Sequence, residues 1–251
     1  MRRMPPLTPH AIPAGTLGRS GQPELRADGG LVLRPWAPAD APALAGLYAD
    51  PAVQHWHGYT ISTQDEAVTL IEGWHERWLT ERAACWALVA GPDGSFAGQA
   101  GLLAIDLRGG SAECFYSTAP ALRGRGVAPS ALEALASWAF LAGFHRLYLR
   151  HSVANPASCR VALKSGFEAE GTERGAELHT DGWHDMHLHA RIATLLPLSV
   201  VVDQPSPIVM PVQVDGPPTV GVADGRCLRF LEGAVDRSSG AAVAGLLAVQ
   251  R

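Results

Sequence analysis

The run Leu122-Arg123-Gly124-Arg125-Gly126-Val127-Ala128 sets two guanidinium groups and two glycines immediately before an apolar stretch with helical spacing. That combination suits an anion. The first amides of a helix lack internal partners, and the helix dipole favours negative charge beside them. Gly124 and Gly126 let the backbone approach a ligand and take left-handed dihedrals. Arg123 and Arg125 add charge-assisted hydrogen bonds to phosphate. Spacing alone also fits a glycine-rich turn with two solvated arginines. A dinucleotide loop would need a third glycine and would follow the first strand. A P-loop would need Gly-Lys followed by Ser or Thr. Neither pattern is present.

A second set of reactive side chains is His179, His184, His187 and His189, with Asp185 among them. On an extended strand, His187 and His189 share a face with Asp185, while His184 points the other way. This alternation argues against a simple metal site, and no metal ligand is assigned. Cys85, Cys114, Cys159 and Cys227 form no C-x-x-C pair, which disfavours zinc ribbons and redox motifs. Three of them sit in apolar or mixed surroundings and read as small buried hydrophobes.

These groups need a scaffold. The chain has 251 residues, of which 47% are apolar, enough for one sizeable core. Only 18% are charged and the net charge is -4, which disfavours a nucleic-acid partner. No apolar run is long enough to cross a bilayer as a helix, and Pro5, Pro6, Pro9 and Pro13 break the N-terminal stretch. The expectation is a cytoplasmic protein with no membrane partner. Residues 1–29 read as an arm with a short strand near Thr16 and Leu17. Strands are expected at 31–34, 84–90, 96–105, 111–118, 146–152, 167–174 and 183–192. Helices are expected at 39–48, 63–79, 127–142 and 156–165, with Asp40, Ser62 or Thr63 as N-caps and Glu66 completing a capping box. After Pro197 the proline and valine content rises, so 197–251 reads as an extension, β-rich with short strands at 209–214, 219–222 and 227–231, or partly disordered.

Arg123-x-x-Gly126-x-Ala128 resembles the R/Q-x-x-G-x-G/A signature of the GNAT superfamily of N-acetyltransferases. Ala112-Glu113, Tyr116 and Pro120 precede it. Asn155-Pro-Ala-Ser158-Cys-Arg160-Val161, Lys164-Ser-Gly166-Phe167, Glu170-Gly171 and Trp183-His184-Asp185 follow, in the order and at the spacing of the Rim-type branch, which includes ribosomal-protein N-terminal acetyltransferases. The resemblance covers about 30–193.

The resemblance implies an α+β fold: a mixed, twisted sheet flanked by helices and splayed between its fourth and fifth strands, within a domain at 30–196. Acetyl-CoA is the implied co-substrate. Ser117 and Thr118 would pair with the pantetheine arm. Arg123, Gly124, Arg125, Gly126, Val127 and Ala128 would cradle the pyrophosphate. Asn155 and Ser158 would face the thioester end, with Ser158 the candidate proton donor to the leaving thiolate. Family chemistry is direct attack of an amine, so no cysteine nucleophile is needed. The implied bases are Glu113, Glu170, Glu173 and Glu177. His189 stands where a tyrosine is common and is a candidate proton shuttle. Phe115 and Ser117 replace the usual glycine and large aromatic. His55 to Tyr59 correspond to a substrate-lining loop.

Losing the proton from a lysine at neutral pH costs roughly 3.4 kcal/mol more than from an α-amine. With no strongly placed base, the expected acceptor is the α-amine of a protein or peptide. A small-molecule amine (antibiotic, amino acid or polyamine) is the alternative acceptor. A non-catalytic acyl-CoA-binding module is the rival of another class. The assembly expected is a monomer or homodimer.

Overall fold

The computed structural model describes residues 7–91, 93–194, 221–223 and 226–228. The chain divides into two compact units, Met1–Leu196 and Pro197–Arg251.

The first unit holds an eight-stranded sheet. Its strands are β1 (Leu25–Ala27), β2 (Leu31–Pro35), β3 (Ala84–Ala90), β4 (Ser95–Asp106), β5 (Ser111–Thr118), β6 (Arg146–Ser152), β7 (Glu168–His179) and β8 (Gly182–Ile192). Their order across the sheet is β1-β2-β3-β4-β5-β6-β8-β7. All neighbours run antiparallel except β5 and β6. That parallel pair covers only Ser111↔Arg146, Ala112↔Leu147 and Glu113↔Tyr148. Beyond Glu113 the two strands carry no mutual ladder, and the sheet is open there.

Helices cover both faces. On one lie α1 (Ala41–Tyr48), α2 (Pro51–His57) and α3 (Gln64–Leu79). Their apolar stripe packs Leu44, Leu47, Ile71 and Trp74 against Trp36, Cys85 and Ala87. On the other lie α4 (Val127–Leu141) and α5 (Pro156–Lys164). Here Leu132, Leu135, Trp86, Leu88, Leu102 and Leu147 form the larger core. β3 reads as an uninterrupted apolar run because alternate residues feed the two cores, as expected of a strand covered on both faces.

The helix starts follow local chemistry. Thr63 Oγ1 accepts from the Glu66 amide while Glu66 accepts from the Thr63 amide, the capping box expected for α3. Asp40 precedes α1 but does not cap it. Its carboxylate accepts from the Ala37 amide and binds Arg34 at 2.7 Å.

Three expectations need correction. Thr16 and Leu17 form a turn, and the N-terminal strand is β1 instead. The segment is also not a loose arm: Ile12 and Leu17 are buried, and the Glu81 carboxylate accepts from the amides of Gly15 and Leu17. That anchor lies more than sixty residues away, outside any local pattern. Third, His55 to Tyr59 are not all loop. Pro51 at a helix start and Asp50 as its cap produce α2, which ends at the left-handed Gly58.

In the second unit, β9 (Gly221–Ala223) pairs antiparallel with β10 (Arg226–Leu228). These overlap the strands expected at 219–222 and 227–231. The strand expected at 209–214 lies outside the described residues.

Candidate active site

The first-turn amides of α4 stand free of side-chain caps. Gly126 is the N-cap residue in a left-handed conformation (φ 82°), and no side chain caps it. Pro129 fills the third helical position, so it contributes no amide there. Among the described residues, the amides of Gly124, Gly126, Val127 and Ala128 make no backbone hydrogen bond outside the helix. Gly124 is left-handed too (φ 76°), and a Cβ at either glycine would meet open space. Uncapped amides at a positive helix end, beside two glycines with open space at their Cβ positions, fit a phosphate group.

The two arginines are not equivalent. Arg123 grips Asp50 at 2.5 Å, and Asp50 in turn caps α2 by accepting from Ala52 and Val53. Arg123 therefore ties the turn before α4 to α2, and its hydrogen bond holds the Asp50 carboxyl below its usual range. Arg125 is exposed.

The open part of β5 sends adjacent side chains to opposite faces. Tyr116 points toward α5, where its hydroxyl lies 2.6 Å from Ser158 Oγ. Burial pushes the Tyr116 phenol up to about 12, so it stays protonated at neutral pH. Asn155 Oδ1 accepts from the Ser158 amide at 3.0 Å and caps α5, with Pro156 at the first helical position. The cap fixes where Ser158 stands.

Ser117 points the other way, toward α2, and its hydroxyl lies 2.8 Å from His57 Nε2. Burial lowers the His57 pKa; Glu177 partly offsets this and His179 adds to it. The ring is therefore a neutral imidazole at pH 7. Tyr48 lies against it, and the Gln99 amide donates to the Tyr48 hydroxyl at 3.1 Å. From the sequence, His57 is only one residue of the expected loop from His55 to Tyr59. Alternation along β5 gives the side of Ser117, but the arrival of α2 on that side has no local signal.

Glu113 sits at the apex of the opening, on the Ser117 side, with its carboxylate 3.1 Å from Arg150 Nε. Arg150 also reaches Glu173 at 3.5 Å, and Arg146 holds Glu170 in a two-pronged pair. Of the four carboxylates considered as bases, Glu177 is the one that acts on His57. His189 lies elsewhere. Its ring is 1% exposed, under α5, beside His151 and Cys159. Burial lowers its pKa. Thr118 ends β5 opposite Gly98.

The histidines considered together in the sequence fall into two groups. His179 and His184 stack near His55 and Trp56, with Ser152 Oγ 2.7 Å from His184 Nδ1. His187 and His189 join His151 on the other side of β8.

Residues 30–168 match the model of the acetyltransferase (GNAT) domain family. The ribosomal-protein-serine acetyltransferase of Escherichia coli K12 is 36% identical over 83 residues, which are 33% of this chain and 46% of that protein. The match thus spans about half the length of that relative. Among solved structures, the fold is similar to that of RimL, a ribosomal-protein alpha-N-acetyltransferase, in complex with coenzyme A. That likeness has a TM-score of 0.64 at 23% identity over 68% of this chain and 98% of that one. RimJ from Mycobacterium smegmatis, in complex with a CoA disulfide, gives a TM-score of 0.61 at 27% identity over 70% and 88%.

Proposed function

We propose that this chain, which belongs to the GNAT acetyltransferase family, uses acetyl-CoA to acetylate the α-amine of a protein or peptide. The observation that carries the donor assignment is the uncapped, glycine-lined amide cradle of α4 beside the open half of β5. Its amides and Arg125 would hold the pyrophosphate, and the unpaired edge of β5 at Ser117 and Thr118 would face the pantetheine amides.

Two adjacent residues then divide the chemistry. The amine nitrogen attacks the thioester carbon, the carbon–sulfur bond breaks, the amine loses a proton and the thiolate gains one. On the α5 side, Ser158 Oγ gives its proton to the thiolate as it takes the Tyr116 hydroxyl proton across their hydrogen bond, and solvent then returns a proton to Tyr116. On the α2 side, Ser117 and neutral His57 line the approach of the amine, and His57 passes its proton toward Glu177. Glu113 keeps a positioning role through Arg150.

Two things support an α-amine acceptor. The E. coli relative is named for acetylating a ribosomal-protein serine, and RimL is described as an alpha-N-protein acetyltransferase. In addition, an imidazole with a lowered pKa is a weak base, suited to an amine of pKa about 7.7–8.0 rather than about 10.4.

The test is free-thiol release from acetyl-CoA with peptides, N-blocked lysine peptides, amino acids and polyamines as acceptors. Release with free N-terminal peptides and not with N-blocked ones is expected. Ser158→Ala should lower kcat about a hundredfold. Preference for N-blocked lysine or a polyamine would overturn the acceptor assignment, and absence of turnover with every amine would overturn the enzyme.

A further inference from the structure

His151, Cys159, His187 and His189 come from three elements and converge under α5. Each offers one ligand atom, and the four atoms all lie within 4.8 Å of one another. His151 is on β6, His187 and His189 are on β8, and Cys159 is on α5. The β6–β8 register sets His151 directly opposite His187 and Leu149 opposite His189, so the three rings share one face.

The hydrogen bonds of the rings fix which nitrogens converge. His151 Nδ1 lies 2.8 Å from the Ser152 carbonyl, and His189 Nδ1 lies 3.4 Å from the Phe167 carbonyl. A carbonyl oxygen only accepts, so in both rings Nδ1 carries the proton. Their Nε2 lone pairs then face each other at 3.2 Å. Two lone pairs at that distance repel unless a cation lies between them. A bridging proton would make one ring an imidazolium, and the group contains no carboxylate to offset it. A third ring and the Cys159 sulfur, 3.9 Å from His189 Nε2, close the set.

We infer that these four side chains form a structural zinc site. Tetrahedral zinc with bonds of about 2.0–2.1 Å to nitrogen and about 2.3 Å to sulfur has ligand edges of about 3.3 and 3.6 Å. The nitrogen edge found here is 3.2 Å and the sulfur edge 3.9 Å. Imidazoles whose second nitrogen donates to a carbonyl are oriented as zinc ligands commonly are. Three imidazoles and a thiolate favour zinc over the harder ions that take oxygen ligands. Four protein ligands leave no open position, so the ion braces rather than reacts. It joins α5 to β6 and β8, one residue from Ser158. On binding, the sulfur–zinc bond replaces the Cys159 sulfur–hydrogen bond, and the proton leaves to solvent.

The test uses the untagged full-length chain, treated with chelator and measured without acetyl-CoA, so it is independent of the enzymatic reading. Cobalt(II) should give the intense visible bands of tetrahedral geometry and a near-ultraviolet sulfur-to-cobalt charge-transfer band, both removed by one equivalent of zinc. Cys159→Ser should lose the charge-transfer band. His187→Ala, at a partly buried ligand, should bind cobalt at least about tenfold more weakly with an unchanged far-ultraviolet dichroism spectrum. Weak octahedral bands only, or a His187→Ala chain that binds as tightly as the parent, would overturn the site.

Discussion

His57 illustrates how much one side chain's function depends on what covers it. It sits beside Ser117, Tyr48, Glu177 and His179, and burial outweighs the pull of Glu177 on its proton. Its pKa is therefore lower in the folded chain than the ordinary histidine value of 6.5. Below 6.5 the unfolded chain takes up a proton that the folded chain still refuses. Stability from this residue is complete above pH 6.5 and is lost as pH falls through the folded value. If His57 takes the amine proton, His57→Gln removes the acidic limb of the rate profile that lies below pH 6.5. Steady-state rates from pH 5 to 8 check this, and an acidic limb that persists in the variant assigns it to another group. The sequence shows His57 only as one polar residue in a His-Trp-His stretch. The neighbours that matter come from β5 and β7, and no local pattern reports them.

At the scale of elements, α4 and α5 start in contrasting ways. Asn155 and Pro156 give α5 a filled cap, whereas α4 begins at a left-handed glycine with bare amides. Gly126→Val puts a β-branched residue at φ 82°, a strain of about 1–3 kcal/mol, and sets its side chain in the space before the amides. A modest fall in Tm is expected, with the stabilisation by acetyl-CoA abolished. Thermal melts with and without acetyl-CoA measure both, and a retained shift would move the phosphate site elsewhere. Most of this was legible in the sequence. Capping residues, glycines and apolar periodicity are local, and they placed α3, α4, α5 and most strands within a few residues, whereas β7 runs five residues past its expected end at 174. α2 was missed because a seven-residue helix carries little periodicity. β1 was missed because three residues gain strand character only by pairing with β2. The split between His184 and the pair His187 and His189 follows from alternation along β8, but their neighbours His151 and Cys159 come from β6 and α5 and carry no local signal.

For the whole molecule, the buried apolar residues among those described all lie between Ile12 and Ala190. A chain ending at Leu196 should therefore keep its acetyl-CoA-dependent rise in Tm, and loss of that rise would show that residues 197–251 contribute to the donor site. One edge of the sheet is β7, which carries Glu168, Glu170, Glu173, Arg174 and Glu177, charges that discourage pairing with another strand. The opening between β5 and β6 has a consequence for how such a protein changes over time. Under the proposed function, the donor is held mainly by main-chain atoms of β5 and the α4 turn, which most substitutions leave untouched. Under the same proposal, the acceptor is met by side chains of α2, β5 and β7. Variation can therefore search for new amines without risking the acetyl donor, so specificity is free to drift faster than chemistry.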